Sequence, residues 1–240
     1  MSILHRTTLV PSKLELLTEW LPSRLWYADP GRTPSLVKAG GFRLDDPDGE
    51  VGIEFMVAVD TSGDGPVAYH VPMTYRGAPL DGAGNALIGI AEHGVLGRRW
   101  IYDGTRDPVL VTQLAALIQG AAEPQAQSIN DTPDPTVLTR PAPGSPVPGV
   151  VFVPGAAFEA SDAPDGTEVR VDVAAAGTLV VSVSRVLVPA GDGDGAGEGE
   201  GGAPGTGGYV TAPWRRADDT TVRAVFATAA LARHSEMRQP

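Results

Sequence analysis

The chain has 240 residues, a net charge of −11, 30 glycines, 22 prolines and no cysteine. The absence of cysteine excludes disulfide scaffolds, thiolate metal sites and thiol catalysis. The negative charge repels phosphate backbones and anionic lipids, and no basic run exceeds two residues, so neither nucleic acid nor a membrane is an expected partner. The first residues lack the pattern of a secretory signal, and no apolar run is long enough to span a bilayer, so a cytoplasmic protein is expected.

Two helices are predicted in the first half of the chain. Ser12 and Glu15 form a capping box before apolar residues at helical spacing, and Pro22 ends that helix. The pair Asp107–Pro108 places an N-cap before a proline at the first helical position, and Gly120 closes this second helix.

Strands are predicted between these helices. Apolar residues alternate over 51–59 and again over 67–75, which predicts an antiparallel hairpin with one buried face. Pro72 indicates an exposed edge or a bulge in its second strand. Two shorter strands are predicted at 87–92 and 98–102.

The second half reads as strands without helices. The stretch 179–184 is apolar on both faces at first, over its first three residues, which is typical of a central strand. The run 190–207 alternates glycine with Asp and Glu and has almost nothing to bury, so a disordered loop is favoured over a calcium loop. The predicted strands are at 150–153, 167–173, 178–188, 208–211 and 221–227.

Together these elements predict an α+β fold. The first helix, a curved antiparallel sheet and the second helix form one unit, and a mainly antiparallel β subdomain follows it. The predicted divisions are a first domain at 1–120, a Pro-rich connection at 121–149, the β-rich subdomain at 150–232 and a frayed tail at 233–240.

Few motifs indicate chemistry. Gly82-Ala83-Gly84 lacks the third glycine of a dinucleotide fingerprint, and the chain has no Walker loop and no Gly-x-Ser-x-Gly elbow. The four histidines have no metal-ligand spacing, and His70 and His93 are interpreted as solvated strand positions. The sequence therefore predicts no catalytic residue, no cofactor and no metal site.

The densest group of informative residues lies at 92–108. Trp, Tyr and Arg are common anchors of protein interfaces, which makes this segment a candidate binding face. The alternative is that Trp100 and Tyr102 point into the core while Arg99 and Asp103 pair at the surface. The candidate partner-binding residues are Arg98, Arg99, Asp103 and Arg106.

Three segments in order, at 19–27, 68–75 and 99–108, resemble the N-terminal cap domain of bacterial maltokinases. The similarity covers about residues 12 to 120 and is greater to stand-alone cap-like proteins than to the kinase. The resemblance implies a small curved sheet with helices, which in maltokinases rests on the N-lobe of a kinase-like fold. That fold phosphorylates maltose with ATP and magnesium in the trehalose and α-glucan pathway.

The catalytic parts that the resemblance would bring are not found in the sequence. Phosphoryl transfer requires a phosphate-binding lysine, a catalytic Asp and metal-binding Asn and Asp residues. The only lysines are Lys13 and Lys38, inside the cap-like half, and no His-x-Asp-x-x-x-x-Asn occurs. The strand at 179–188 could correspond to the lysine-bearing strand of the N-lobe, but its charged residue is Arg185, which is no simple replacement for Lys.

These features predict a non-catalytic binding or regulatory protein whose partner belongs to the trehalose or α-glucan pathway. A cryptic sugar kinase or α-glucan enzyme remains open, because paired carboxylates are recognised by their separation in space. A carbohydrate-binding protein is a further alternative, using the aromatic residues Trp26, Tyr27 and Trp214.

Overall fold

A computed structural model describes residues 9–127, 132–141, 158–173, 177–190 and 207–232. Within them, two α-helices are present, α1 (Lys13–Trp20) and α2 (Pro108–Ile118), and a 3-10 turn at Leu21–Ser23 continues α1 through Pro22. The predicted caps of both helices are confirmed: Ser12 and Glu15 form a capping box, and the Asp107 side chain accepts a hydrogen bond from the Val109 N–H. None of these helices is long and apolar enough to cross a membrane.

Strands hold 49% of the described residues, so the fold is mostly antiparallel β, with less helix than the predicted α+β class implies. The strands of the described residues are β1 (Leu9–Val10), β2 (Leu36–Leu44), β3 (Gly52–Asp60), β4 (Val67–Arg76), β5 (Leu87–His93), β6 (Gly97–Asp103), β7 (Gln125–Ala126), β8 (Leu138–Arg140), β9 (Phe158–Asp162), β10 (Gly166–Val173), β11 (Gly177–Ser184), β12 (Gly208–Arg215) and β13 (Thr221–Ala232).

All thirteen strands belong to one sheet, in the order β1-β5-β6-β4-β3-β2-β12-β13-β11-β10-β9, with β7 paired to β2 and β8 to β12. The two halves of the sequence meet where Trp214 of β12 pairs with Gly40 of β2. The predicted hairpin is confirmed as β3 and β4, and the predicted central strand as β11, which has β10 and β13 on its two sides.

The sheet curls until its middle strands close into a ring. The segment 185–187, directly after β11, reaches β4: the His70 N–H donates to the Arg185 carbonyl and the Leu187 N–H to the Ala68 carbonyl, each at 2.9 Å. Six strands, β4, β3, β2, β12, β13 and β11, thus form a closed circuit. On β4 the same edge pairs with β6 from Met73 onwards, and Pro72, which has no N–H to donate, lies between these two partners.

Aromatic rings from four strands fill the inside of this ring. Phe42 stacks on Phe55 with 4.5 Å between ring centroids, and Phe226 lies 4.4 Å from the ring of His70. The apolar face of α2 joins the same core, which therefore contains residues from both halves of the sequence. The interpretation of His70 as a solvated position is wrong, because the curled sheet places it at 0% exposure.

A second apolar cluster covers the outside of β3 and β4. Trp20 and Trp26 pack edge to face at 5.7 Å, and Trp26 lies 6.0 Å from Tyr69 of β4. Because α1 and the aromatic segment after it cover this side, nearly every residue of β3 is buried, where the alternation predicted only one buried face.

Five strands of this architecture, β1, β2, β7, β8 and β9, were not predicted, and β12 and β13 are longer than predicted. The predicted strand at 150–153, the loop residues 191–206 and the tail 233–240 lie outside the described residues.

Candidate functional site

A buried ion pair lies where the sheet divides. Beyond the contact between β4 and residues 185–187, β4 pairs with β6 and β11 pairs with β10. Strands β6 and β10 therefore diverge from each other at this point. Asp103 ends β6 and Arg185 follows β11, and Arg185 Nη2 lies 2.6 Å and 2.7 Å from the two carboxylate oxygens. The side chains are 0% exposed for Arg185 and 2% for Asp103.

Neighbouring hydroxyls and one indole ring also contact this pair, whereas Arg185 Nη1 has no hydrogen-bond partner among the described residues. Arg185 Nε donates to Thr167 Oγ1 at 2.7 Å and Nη2 donates to Thr105 Oγ1 at 2.9 Å. Asp103 also accepts hydrogen bonds from the backbone and hydroxyl of Thr105, and the guanidinium carbon lies 5.0 Å from the Trp26 ring. Buried charges of this kind require such partners, so the network serves to join β6, β10 and β11.

The four predicted partner-binding residues are therefore not equivalent. Asp103 is buried, so the predicted surface pair between Arg99 and Asp103 is wrong; Asp103 pairs with Arg185 instead. Arg106 is half-buried and bonds to β9, through the Ala160 carbonyl at 2.8 Å and the Asp162 carboxylate at 3.1 Å. Arg99 is half-buried as well and donates to the Leu96 carbonyl.

Arg98 is the member that lies on an open surface. Its guanidinium pairs with Glu92 at 3.1 Å, and the side chains are 62% and 61% exposed. Since residues paired across strands share a face, Arg98 and Glu92 lie on the same side as the next pair, Trp100 and Ile90. The opposite side of these strands is covered by α1, because Gly89 lies directly against the Leu16 side chain.

We name this open surface the β5–β6 face. Its apolar members are exposed, with Ile90 at 44%, Val95 at 61% and Leu96 at 46%. Trp100 is half-buried against the loop before β5. The face consists of Ile90, Glu92, Arg98 and Trp100 together with the turn residues Val95 and Leu96.

A second charged cluster surrounds Glu54 on the outside of β3. Its carboxylate accepts hydrogen bonds from Lys13 Nζ and Tyr75 Oη, each at 2.6 Å, and from Gln127 Nε2 at 3.0 Å. Burial raises the pKa of Glu54, but Lys13 and the hydrogen bonds outweigh burial and hold that pKa below its ordinary value. Burial and the neighbouring Glu54 raise the pKa of Tyr75 well above its ordinary value. Glu54 is therefore a charged anchor for α1.

The aromatic residues suggested for sugar binding are inside the protein. Trp26 is 2% exposed, Tyr27 is 5% exposed and Trp214 is 6% exposed. Stacking on a sugar ring requires an open aromatic face, so these three residues do not provide a carbohydrate platform.

In the described parts of the chain, no group of three or more His, Cys, Asp or Glu residues is placed to hold a metal ion.

Sequence reasoning missed the structural role of Arg185. The available signal was a single cation in a run whose other residues are all apolar or serine, which is typical of a buried residue with an acidic partner.

Comparison with known proteins agrees with the first half of this architecture. Residues 20–107 match the family model of the maltokinase N-terminal cap domain. The match confirms the resemblance for this segment, which runs from the end of α1 to the N-cap of α2 and includes the whole β5–β6 face. A search of curated proteins gave no significant match.

Proposed function

We propose that this chain is a non-catalytic binding module, and that its cap-type segment docks onto a protein of trehalose and α-glucan metabolism. The observation that carries the proposal is the match of residues 20–107 to the maltokinase N-terminal cap domain. In maltokinases, as the resemblance implies, this domain rests on the N-lobe of a kinase-like fold, so packing against another domain is the property that the segment would bring with it.

The β5–β6 face is the proposed contact surface. It lies wholly inside the matched segment and combines exposed apolar side chains at Ile90, Val95 and Leu96 with an exposed arginine. Interfaces are rich in aromatic residues and arginine, and clustered exposed apolar residues commonly mark such surfaces. Arg98 is the expected polar anchor, since its present partner Glu92 is equally exposed and holds it weakly.

The partners of three buried carboxylates support a non-catalytic role. Asp103 is bound by Arg185, Asp107 by Arg76 and the start of α2, and Glu54 by Lys13 and Tyr75. Each of these groups stabilises the charged carboxylate or joins two elements of the fold. A catalytic acid or base instead requires an environment that brings its pKa close to the working pH, whereas the pKa of Glu54 is held below its ordinary value.

The test is affinity capture from the native host with the full chain as bait. We compare the wild type with the double variant Ile90→Ser/Arg98→Glu, which disrupts the β5–β6 face. The matched control is Val188→Ser/Arg170→Glu, which changes one exposed apolar residue (74% exposed) and one exposed arginine (56% exposed) elsewhere. Wild type and control should enrich the same trehalose or α-glucan enzyme at least tenfold over the face variant.

Equal enrichment by all three baits, or enrichment only of proteins from unrelated pathways, would contradict the proposal. A second measurement addresses catalysis directly. Wild-type protein is incubated with ATP, magnesium and maltose, trehalose or maltooligosaccharides, and product formation is measured together with the shift in Tm. Turnover of any sugar would overturn the non-catalytic role and restore the sugar kinase or α-glucan enzyme alternative.

A further inference from the structure

Both lysines of the chain, Lys13 on α1 and Lys38 on β2, carry charges that interact with the carboxylate of Glu54. The strand register explains this for Lys38. It lies opposite Ala58 in the β2–β3 pair, and Ala58 and Glu54 are four positions apart on β3, so all three share the outer face of the sheet. The fold therefore gathers both lysine side chains of the sequence around one acidic group.

The two amines differ in their partners. Lys13 Nζ lies 2.6 Å from Glu54 Oε2 and 5.5 Å from the centre of the Tyr75 ring. Lys38 is exposed, and its amine forms no hydrogen bond and no ion pair with any described residue. A reagent that reaches this cluster therefore meets one amine that is held by a carboxylate and an aromatic ring, and a second one that is open to attack.

The surroundings of Lys38 disfavour its positive charge. Protein atoms remove part of the water around the ammonium and the nearby Lys13 charge repels it, and both effects lower the pKa of Lys38 although Glu54 opposes them. The Glu54 carboxylate already holds three hydrogen-bond donors, which limits this opposition. A lysine reacts through its neutral amine, so desolvation and a second cation activate it as a nucleophile.

The same face favours an anionic reagent. Arg43 lies opposite Glu54 in the register of β2 against β3, so it adds a third cation to the side that carries Lys13 and Lys38. Arg43 has an interaction of its own and contributes only its charge. Three cations around one carboxylate make this a locally positive region of a chain whose net charge is −11.

We propose that Lys38 is a modification site, at which an acyl phosphate transfers its acyl group to the ε-amine. The neutral Nζ attacks the carbonyl carbon, so an N–C bond forms while the C–O bond to the phosphate breaks. Inorganic phosphate leaves with the bonding electron pair, and the proton of the amine passes to water. The product is an uncharged amide at Lys38, and this inference does not depend on the proposed function.

The modification would change the charge at an important junction. The positive charge of Lys38 helps to hold the pKa of Glu54, the anchor of α1, below its ordinary value. Lys38 is also two residues before Gly40, where β2 pairs with Trp214 of β12. Acylation therefore removes a cation beside the contact between the two halves of the sequence.

The test is incubation of the full chain with acetyl phosphate at neutral pH. Acetylation of each lysine is followed over time by mass spectrometry, after digestion with a protease that cleaves beside acidic residues. Val188→Lys supplies an ordinary exposed lysine in the same molecule, because Val188 is 74% exposed. Lys38 should be acetylated at least fivefold faster than this reference lysine and at least tenfold faster than Lys13. Equal rates at Lys38 and the reference lysine would overturn the assignment.

Two further variants, each made in the Val188→Lys background, should change the rate at Lys38 in opposite directions. Lys13→Met removes the repelling ammonium and leaves Glu54 without its ion pair, so acetylation of Lys38 should slow at least threefold relative to the reference lysine. Glu54→Gln keeps the size of the side chain and removes the charge that opposes activation, so acetylation of Lys38 should become faster. If Lys13→Met does not fold, the sign of the Glu54→Gln change still decides, since an unchanged or slower rate there would contradict the proposal.

Discussion

Arg185 and Asp103 are 82 positions apart in the sequence, yet Arg185 Nη2 lies within 2.7 Å of both carboxylate oxygens of Asp103. Their contact joins the cap-type segment to the second half of the chain at the point where β6 and β10 diverge. Asp103 lies within the segment that matches the cap domain and Arg185 outside it. The stability of the matched segment should therefore depend on a residue that the family match does not include.

Breaking this pair from one side should be strongly destabilising. Arg185→Met leaves the Asp103 carboxylate buried without its cation, and Thr167 and Thr105 lose a donor. We expect the free energy of unfolding, measured by urea denaturation, to fall by about 3–5 kcal/mol. The double variant Arg185→Met/Asp103→Leu should lose less than the sum of the two single changes, because no unpaired charge remains.

The exposed pair Arg170 and Glu168 provides the control for this cycle. Both side chains are well exposed, so Arg170→Ala should change the free energy of unfolding by no more than about 1 kcal/mol. If Arg185→Met lowered the free energy of unfolding by as little as Arg170→Ala, the buried pair would not stabilise the fold.

Features set by neighbouring residues could be predicted from the sequence, and features set by distant ones could not. The capping box at Ser12 and the Asp107–Pro108 pair each specify a helix start within four residues, and both are confirmed. The burial of His70 depends on residues 185–187, more than 110 positions away, which close the ring of strands. Alternation alone described β4 as half-exposed, because it contains no information about that closure.

Strand β2 illustrates a second reason for a missed element. Gly40 and Gly41 interrupt its apolar pattern, and both have positive φ angles, of 156° and 127°. The register of β2 against β3 shifts between Lys38 and Gly40, so one residue of β2 has no opposite residue on β3 and forms a bulge. A strand with a bulge and two glycines has no clear period of two and resembles a loop in sequence.

Gly41 should not tolerate a side chain. A Cβ there would lie 1.9 Å from the Phe55 carbonyl oxygen and 2.6 Å from Gln127 Nε2, at a φ that side chains rarely adopt. Gly41→Ala should lower the free energy of unfolding by at least about 2 kcal/mol. Gly65→Ala is the matched change, since nothing lies within 4 Å of its Cβ, and it should stay within about 0.5 kcal/mol of wild type. Equal unfolding midpoints in urea for the two variants would contradict this account of β2.

Asp107 has two roles that substitutions can separate. Its side chain caps α2 through the Val109 N–H and pairs with Arg76 through two hydrogen bonds. Asp107→Asn keeps a good cap and removes the charge, whereas Asp107→Ala removes both. Asp107→Ala should therefore cost about 1 kcal/mol more than Asp107→Asn in urea denaturation, the usual contribution of a cap. Ser12→Ala, which removes only the cap of α1, should cost a similar amount, and identical stabilities of the two Asp107 variants would exclude the capping role.

His70 should make the fold sensitive to acid. Burial lowers the pKa of His70 to about 3, helped by the nearby Arg185 charge, although the hydrogen bond to the Ser184 carbonyl opposes the change. Because the folded pKa lies below the unfolded value of about 6.5, the unfolded chain binds this proton first, and stability falls as the pH drops below 6.5.

The free energy of unfolding should fall by up to about 1.4 kcal/mol per pH unit as the pH drops from 6 to 5, a range in which the titration of carboxylates still contributes little. Structurally, protonation would place an N–H at Nε2, which has no hydrogen-bond partner among the described residues and lies beside Phe226 in the closed ring. His70→Phe keeps an aromatic ring there and removes the titrating group. Urea denaturation at pH 7, 6 and 5 should give a clearly flatter profile for His70→Phe than for wild type, whatever its absolute stability. Parallel profiles would mean that His70 is not held neutral in the folded protein.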